Sequence, residues 1–296
     1  MDPIKVYHYD AFASRPGMGN PAGIVLDGDR LTEEEMQRVA LLVGYNETAF
    51  PVASDKADLR IRFFSPGKEM DLCGHATVAT IYALKTRGLL GDKEELTIET
   101  RAGVLPVWVR EEHGGIWITM RQAAPQFMDF EGSGEELAQA IGLSQQDLDG
   151  ALPIVYGSTG TWTLLVPVRG LEAFKRMRPD NQRFPQILKK LPGASVHPLC
   201  LEVYDPGAQM HGRHFSSPTS GTVEDPVTGT ASGVMGAYYA RYIQKDVNGA
   251  QEYLVEQGQE IGRDGRVKVR VSGTPELPTV EIAGTAVYVK EFDLEY

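Results

Sequence analysis

Three ionisable side chains occupy positions where the sequence suggests contact with a bound ligand. Glu47 stands in the segment NETAF (46–50), at the entry to an apolar strand, where a partly desolvated carboxylate is suited to general acid–base catalysis. His75 opens one apolar helix and Asp225 precedes another. Each residue also has a structural interpretation: a solvated charge at a strand end, a core histidine with local hydrogen bonds, and a helix N-cap or turn residue, respectively. None of them alone establishes a function.

A glycine stands at the mouth of each of these two helices. Gly74 lies in CGHAT (73–77) and Gly229 in TGTAS (228–232), an offset of 155 residues. The free backbone N–H groups and the positive dipole end of a helix N-terminus attract a carboxylate. Small residues can instead serve only close packing, but two matched instances favour ligand binding. We therefore predict that a small organic acid is held between two helix N-termini.

The helices that begin at these glycines are apolar on nearly every side. The run 74–84 has no polar face, which predicts a helix buried on all sides and wrapped by strands. The second half repeats the pattern, because FSP (64–66) and FSSP (215–218) each precede an acidic residue and then an apolar helix. An offset of about half the chain indicates two similar domains related by a pseudo-twofold axis. The boundary is expected near RQAAP (121–125).

Short alternating runs predict strands through the first half of the chain. They cover 6–12, 23–26, 49–52, 59–64, 96–100, 104–109 and 116–120. A helix is expected after Thr32, because Thr32 and Glu35 form a capping box and the apolar residues that follow recur on one face. Many strands with few helices predict the α+β class.

Composition narrows the possible partners. The 296 residues carry a formal net charge of −11, and no Lys/Arg-rich run is present, so nucleic acid and anionic membranes are not expected partners. No apolar run reaches the roughly 20 residues of a membrane helix, and the first residues do not resemble a signal peptide. We expect a cytoplasmic protein that does not bind a membrane.

Cofactor and metal motifs are missing from the sequence. Cys73 and Cys200 are too few for a disulfide framework, and the six histidines lack the spacing of metal ligands. The segment GMGNP (17–21) is not a dinucleotide fingerprint, since it lacks the third glycine and the surrounding strand–loop–helix unit. We predict no metal and no cofactor.

Six motifs taken in order resemble the PhzF-like family of phenazine-biosynthesis isomerases, which has the diaminopimelate epimerase fold. They are DAF (10–12) with GNPA (19–22), NETAF, RFFSP (62–66), CGHAT and EDPVTGTA (224–231). The resemblance implies two domains, each a β-barrel-like sheet around a central helix, with the active site between them and a homodimer as the assembly. We expect the domains to cover 1–121 and 122–285, the last strand near 286–296 completing the first.

The resemblance also implies the chemistry. In this family a glutamate removes a proton from one carbon of a conjugated cyclic amino acid and returns it to another, without a cofactor. Glu47 matches that glutamate, and His75 and Asp225 match residues that orient the substrate and assist proton transfer. We expect a small carboxylate as substrate, contacted by Asn20, Cys73, Gly74, Thr228, Gly229 and Thr230, the last standing where the family often has a serine.

Two alternatives remain open at this point. Related racemases use two cysteines, one at each helix mouth, but here the counterpart of Cys73 is Thr228, whose hydroxyl cannot act as the second base. A two-thiol racemase is therefore disfavoured, and Cys73 fits a small buried hydrophobe beside the site. The alternatives are an epimerase that uses Glu47 and Cys73 from opposite faces, and a non-catalytic protein that binds a metabolite or another protein.

Overall fold

The computed structural model describes residues 3–112, 114–244, 249–274 and 277–296. The chain divides into two compact units, Met1–Arg121 with Ala283–Tyr296, and Gln122–Ile282. Within the described residues, no helix is both long enough and apolar enough to cross a membrane.

The first unit begins with eight strands and two helices. The strands are β1 (Ile4–Ala11), β2 (Asn20–Ile24), β3 (Glu47–Val52), β4 (Leu59–Phe64), β5 (Glu69–Met70), β6 (Glu95–Thr100), β7 (Gly103–Glu112) and β8 (Gly115–Arg121). The helices are α1 (Glu33–Val43) and α2 (Gly74–Thr86). All seven runs predicted as strands are strands here, with ends that differ by up to three residues.

Antiparallel pairs dominate the sheet of this unit. β1 pairs with β2, β3 with β4, β6 with β7 and β7 with β8 in antiparallel register. β2 and β3 run parallel because α1 connects them, and β4 and β6 run parallel because the connection contains α2. These crossovers place the first residue of β3, Glu47, beside the strand that begins at Asn20.

Helix α1 begins with the capping box that its sequence predicts. The Thr32 hydroxyl accepts from the Glu35 backbone N–H, and the Glu35 carboxylate accepts from the Thr32 backbone N–H. The pair satisfies two of the N–H groups that a helix start leaves without partners. Gly44 ends the helix in the left-handed conformation, at φ 70°.

Helix α2 is the centre of the first unit. It contacts β1, β2, β3 and β8, and most of its residues, from His75 to Leu84, are buried. Strands on several sides explain why a sequence with no polar face is stable as a helix here.

In its described residues, the second unit contains ten strands and four α-helices. The strands are β9 (Gln126–Asp129), β10 (Val155–Ser158), β11 (Trp162–Pro167), β12 (Ser195–Cys200), β13 (Met210–Gly212), β14 (His214–Phe215), β15 (Glu224–Asp225), β16 (Gln251–Gln257), β17 (Gly265–Thr274) and β18 (Leu277–Gly284). The helices are α3 (Gly134–Ala140), α4 (Leu171–Arg176), α5 (Phe184–Ile187) and α6 (Gly229–Tyr238). A final strand, β19 (Ala286–Leu294), pairs antiparallel with β1 in the first unit.

Helix α6 is the counterpart of α2 in the second unit. All its residues except Thr230 are buried, and it packs against β10, β16 and β17. Small residues permit this packing: a Cβ added to Gly236 would lie 2.5 Å from Cγ1 of Val269. The predicted second buried helix is therefore present, although its regular part ends at Tyr238.

The segments that lead into α2 and α6 have the same local structure. Phe64 pairs with Glu69 across β4 and β5, and Phe215 pairs with Glu224 across β14 and β15. In each case the glutamate comes five residues before the helix glycine, so both glutamates share the offset of 155 residues. The repeat in the sequence thus corresponds to a repeated strand–return–helix unit.

Candidate active site

Glu47, Cys73 and His75 come together in the first unit. Glu47 is the first residue of β3, Cys73 is the N-cap of α2, and His75 is the second residue of that helix. Oε2 of Glu47 lies 3.2 Å from Nε2 of His75, and Sγ of Cys73 lies 3.4 Å from Nδ1 of the same ring. The structure therefore gathers a carboxylate, an imidazole and a thiol at one helix mouth.

The carboxylate of Glu47 is largely enclosed but incompletely bonded. Its side chain is 17% exposed, and within the described part of the chain Oε2 is buried without a hydrogen-bond partner. The 3.2 Å approach to His75 is an electrostatic contact whose alignment falls short of a hydrogen bond. An acceptor left in this state can take a proton or a hydrogen bond from a bound molecule.

His75 is buried among charged and polar groups. Burial, the largest influence, lowers the pKa of His75, but Cys73 and Glu47 raise it, and the net pKa lies well above the ordinary value of 6.5. The contacts with Cys73 and Glu47 therefore favour the protonated ring. A cationic imidazole at this position can orient a substrate carboxylate or donate a proton.

Asn20 contacts the His75 ring at Nδ1, whereas Glu47 lies beside Nε2. Its side chain is fully buried, and its amide lies 3.2 Å from Nδ1 of His75. The loop before it is fixed by sequence: Gly19 has φ +64°, and a Cβ there would overlap the carbonyl oxygen of Ala11. The contact found for this predicted substrate-binding residue is thus one that orients His75.

Cys73 is a protonated thiol at neutral pH. Burial is the main reason that the pKa of Cys73 is raised above 9.0, and the charge of Glu47 raises it further. The hydroxyl of Thr77 donates a hydrogen bond to the backbone carbonyl of Cys73, four residues earlier, at 2.7 Å. The thiol is poorly suited to act as a base, in agreement with its interpretation as a small buried side chain.

The backbone at this helix mouth is open. By the geometric criteria for a capping hydrogen bond, the N-cap side chain of Cys73 makes none to the start of α2, and a Cβ added to Gly74 would meet none of the described atoms within 4 Å. Glycine is therefore not required at position 74 for packing against the protein. This observation favours ligand approach over close packing as the reason for the residue.

A second group of predicted site residues meets in the second unit. The hydroxyl of Thr228, the N-cap of α6, donates to Oδ2 of Asp225 at 2.5 Å. Gly229 is buried as the first residue of α6, and the carbonyl of Thr230 accepts a hydrogen bond from Thr159. Asp225 and Thr228 therefore form one hydrogen-bonded unit at the mouth of α6.

Gln257 is a residue of this second group that sequence reasoning missed. It is buried on β16, where its amide nitrogen donates to the carbonyl of Asp225 at 2.8 Å and its amide oxygen accepts from the N–H of Thr228 at 3.2 Å. One side chain thereby fixes both ends of the turn that leads into α6. Its distance in sequence from Asp225 left no local signal.

A duplicated ion pair also escaped the sequence analysis. Arg62 pairs with Glu69 at 2.7 Å and lies over the ring of Phe64, while Arg213 pairs with Glu224 at 2.6 Å and lies over Phe215. Each pair braces the return strand before a helix mouth. The shared pattern R-x-F followed by a glutamate, present in both halves, was the signal that could have found it.

The cluster in the first unit also qualifies as a set of metal ligands. One donor atom from each of Glu47, Cys73 and His75 lies within 4.8 Å of the others. Glu47 lies 26 residues before the Cys-x-His segment, a separation that falls outside the usual spacing of metal-ligand motifs. The expectation of no metal therefore stays a prediction.

Comparison of the chain with known proteins identifies its family. Residues 9–292 match the family PhzC-PhzF, described as phenazine biosynthesis-like protein. The chain belongs to this family. It is 52% identical over 288 residues to the Bacillus subtilis protein named uncharacterized isomerase YfhB, covering 97% of both chains. It is 33% identical over 286 residues to the trans-2,3-dihydro-3-hydroxyanthranilate isomerase of Pseudomonas aeruginosa, covering 95% of this chain and 96% of the other.

Solved structures confirm the fold. A Bacillus anthracis phenazine biosynthesis protein of the PhzF family is 61% identical, covers 100% of both chains and superposes with a TM-score of 0.98. A hydroxyproline epimerase from Agrobacterium vitis is 11% identical with a TM-score of 0.63, which is a likeness of fold alone. The predicted family, the α+β fold of the diaminopimelate epimerase kind and the isomerase class are confirmed.

Proposed function

We propose that this isomerase moves a proton, and with it a double bond, within a small cyclic or amino-acid-like carboxylate, without a cofactor. The observation that carries the proposal is the buried Oε2 of Glu47, which has no hydrogen-bond partner within the described residues and lies 3.2 Å from Nε2 of the His75 imidazole. A carboxylate in this state can accept a proton from carbon.

The reaction needs only one carboxylate. Glu47 takes a proton from one carbon, the C–H electron pair becomes part of the conjugated system, and the resulting carboxylic acid returns the proton to another carbon of that system. His75 and the N–H groups at the mouth of α2 hold the substrate carboxylate and stabilise the negative charge that develops. Asp225, held by Thr228, is proposed to orient the substrate, with Gly229 and Thr230 as further contacts.

Epimerisation by Glu47 and Cys73 is less compatible with the geometry. Two bases on opposite faces of a carbon each approach it to about 3–3.5 Å, which separates them by roughly 6–7 Å. The donor atoms of Glu47 and Cys73 lie within 4.8 Å of each other, so a carbon does not fit between them. The raised pKa of Cys73 is a second argument against a thiolate base.

A neutral glutamine at position 47 tests the proposal. A thermal-shift screen of small cyclic carboxylates first identifies ligands, beginning with trans-2,3-dihydro-3-hydroxyanthranilate, the compound in the name of the Pseudomonas aeruginosa relative. Glu47→Gln keeps the shape but removes the titratable group, so turnover is expected to fall ~10²-fold or more with an unchanged melting temperature. Glu34→Gln, at an exposed position of α1, is the control. Undiminished turnover in Glu47→Gln would overturn the proposal.

A further inference from the structure

We infer that Glu47, Cys73 and His75 form a binding site for a thiophilic divalent cation, Zn²⁺ above all, and that the bound ion inhibits the enzyme. The inhibitory part rests on the proposed function, because it assumes that Glu47 must be free for turnover. The binding part rests on the geometry alone.

The donor types are those that zinc prefers. Zinc sites in proteins use thiolate, imidazole and carboxylate donors, whereas magnesium and calcium sites use oxygen alone. Nε2 of His75 lies 3.2 Å from Oε2 of Glu47 and 3.8 Å from Sγ of Cys73. Donors of a tetrahedral zinc ion lie about 3.3–3.6 Å apart, given ordinary zinc bond lengths. Small movements of the Glu47 and Cys73 side chains therefore bring all three atoms into coordination, and binding releases the thiol proton, with any proton on Nε2 of His75, to solvent.

The surroundings suit an ion bound in this way. Cys73 and His75 are only 8% and 7% exposed, and Oε2 of Glu47 has no competing hydrogen bond from any described residue. With Nε2 on the metal, Nδ1 faces the side chain of Asn20 at 3.2 Å, whose amide oxygen can accept the ring N–H after a half-turn of the amide. Metal-bound histidines are commonly fixed by such a second hydrogen bond. Three protein donors leave the fourth position for water.

Inhibition follows from which oxygen is used. The ion occupies the carboxylate oxygen that the proposed reaction needs as its proton acceptor, so the enzyme loses its base. Chelation frees that oxygen again, so the inhibition is reversible.

Cobalt is the probe for the binding part, because thiolate ligation gives Co²⁺ a near-ultraviolet charge-transfer band. We expect chelator-treated wild type to bind one equivalent of Co²⁺ with this band, and Zn²⁺ to displace it. Cys200→Ser is the matched control, since Cys200 is the other buried cysteine and its thiol donates to the Glu202 carbonyl. This variant should behave as wild type.

Two variants test the assigned ligands. Cys73→Ser should lose the band and bind Co²⁺ at least ~10-fold more weakly, while Glu47→Gln should keep the band but bind ~10-fold more weakly. Melting temperatures confirm that each variant is folded. A wild-type protein without the band, or a band lost in Cys200→Ser and kept in Cys73→Ser, would overturn the site.

Turnover separates the two proposals. In wild type and Cys200→Ser, activity should fall in proportion to the Zn²⁺-occupied fraction and return on chelation. Activity that persists in the zinc-occupied enzyme would overturn the inhibition and the role of Glu47, while the binding site would stand. Failure to bind metal, with an inactive Glu47→Gln, would overturn the metal site alone.

Discussion

The groups around Glu47, more than its place at the start of β3, make its carboxylate suited to accept a proton. One of its oxygens is buried beside the His75 imidazole, and that ring is in turn held by the buried Asn20. The sequence indicates Glu47 and His75 through their places at a strand entry and a helix start. It could not show that Asn20 and His75, 55 residues apart, meet, because only the pairing of β2 and β3 beside α2 brings them together.

A second buried histidine in the second unit has a structural role. His211 is fully buried between Glu256 at 3.1 Å and Glu260 at 3.0 Å. Glu256 also accepts from the N–H groups of Tyr204 and Asp205. Burial lowers the pKa of His211, but the two glutamates raise it to a net value above 6.5. Burial raises the pKa of both glutamates, but hydrogen bonds from His211 bring each to a net value below 4.5.

This cluster predicts a pH dependence of stability. The contribution of His211 is complete below its unfolded pKa of about 6.5 and is lost as pH rises through its higher folded pKa. The contributions of Glu256 and Glu260 are present above about pH 4.5 and are lost as pH falls through their lower folded pKa values. His211→Gln should therefore cost about 3–5 kcal/mol at roughly pH 5.5, because it removes the cation between two buried carboxylates.

Urea unfolding of wild type and His211→Gln near pH 5.5 and near pH 9 measures this. The loss of unfolding free energy should be smaller at the higher pH, because a rise in pH favours the neutral ring of His211 in the wild type. A loss that does not vary with pH would show that the imidazolium charge contributes nothing.

At the scale of elements, two short return strands set the positions of the helix mouths. β5 and β15 are two residues long, and each is braced by an arginine–glutamate pair that lies over a phenylalanine ring. Strand periodicity cannot indicate elements this short, so neither was predicted. The long alternating runs were found because burial of one face repeats every two residues, and α2 and α6 because they are apolar all round.

Gly74 and Gly236 lead to opposite predictions for a change to alanine. A Cβ at Gly74 meets none of the described atoms within 4 Å, so Gly74→Ala should leave the melting temperature unchanged or raised. It should lower kcat/KM for a carboxylate substrate, since the methyl group stands where the ligand approaches the backbone. Gly236→Ala should lose ~1–3 kcal/mol of stability, because its Cβ falls 2.5 Å from Val269.

Melting curves measure the stability of both variants, and steady-state kinetics measure the kcat/KM of Gly74→Ala. A destabilised Gly74→Ala would restore close packing as the reason for that glycine, and an unaltered kcat/KM would remove the helix mouth from the substrate site.

At the scale of the whole molecule, the sequence repeat indicated the two-unit architecture, and the net charge of −11 indicated which partners not to expect. The repeated motif predicts two buried helices, and each unit has one. The helices α3, α4 and α5 belong to the second unit and lie outside the repeated motif. The repeat in the sequence therefore could not indicate them. The motifs indicate the reaction class, but they do not include the contacts that select one substrate, so the substrate is left to experiment.

Cofactor independence is a prediction about the whole protein. Chelator-treated enzyme should keep full turnover without added nucleotide, flavin or pyridoxal phosphate, because the proposed proton transfer uses only side chains and backbone N–H groups. Elemental analysis and absorbance of freshly purified enzyme, alongside activity before and after chelation, measure this. Activity that disappears on chelation and returns with a metal ion would refute it.

The path of the proton tests the central claim most directly. The reaction is run in D₂O with a substrate found in the thermal-shift screen, and NMR locates the deuterium in the product. A single carboxylate that moves a proton between carbons predicts deuterium at the carbon that gains hydrogen, a shifted double bond, and no such product from Glu47→Gln. Deuterium at the original carbon with inverted configuration, and a reaction abolished by Cys73→Ser, would contradict the account and establish an epimerase.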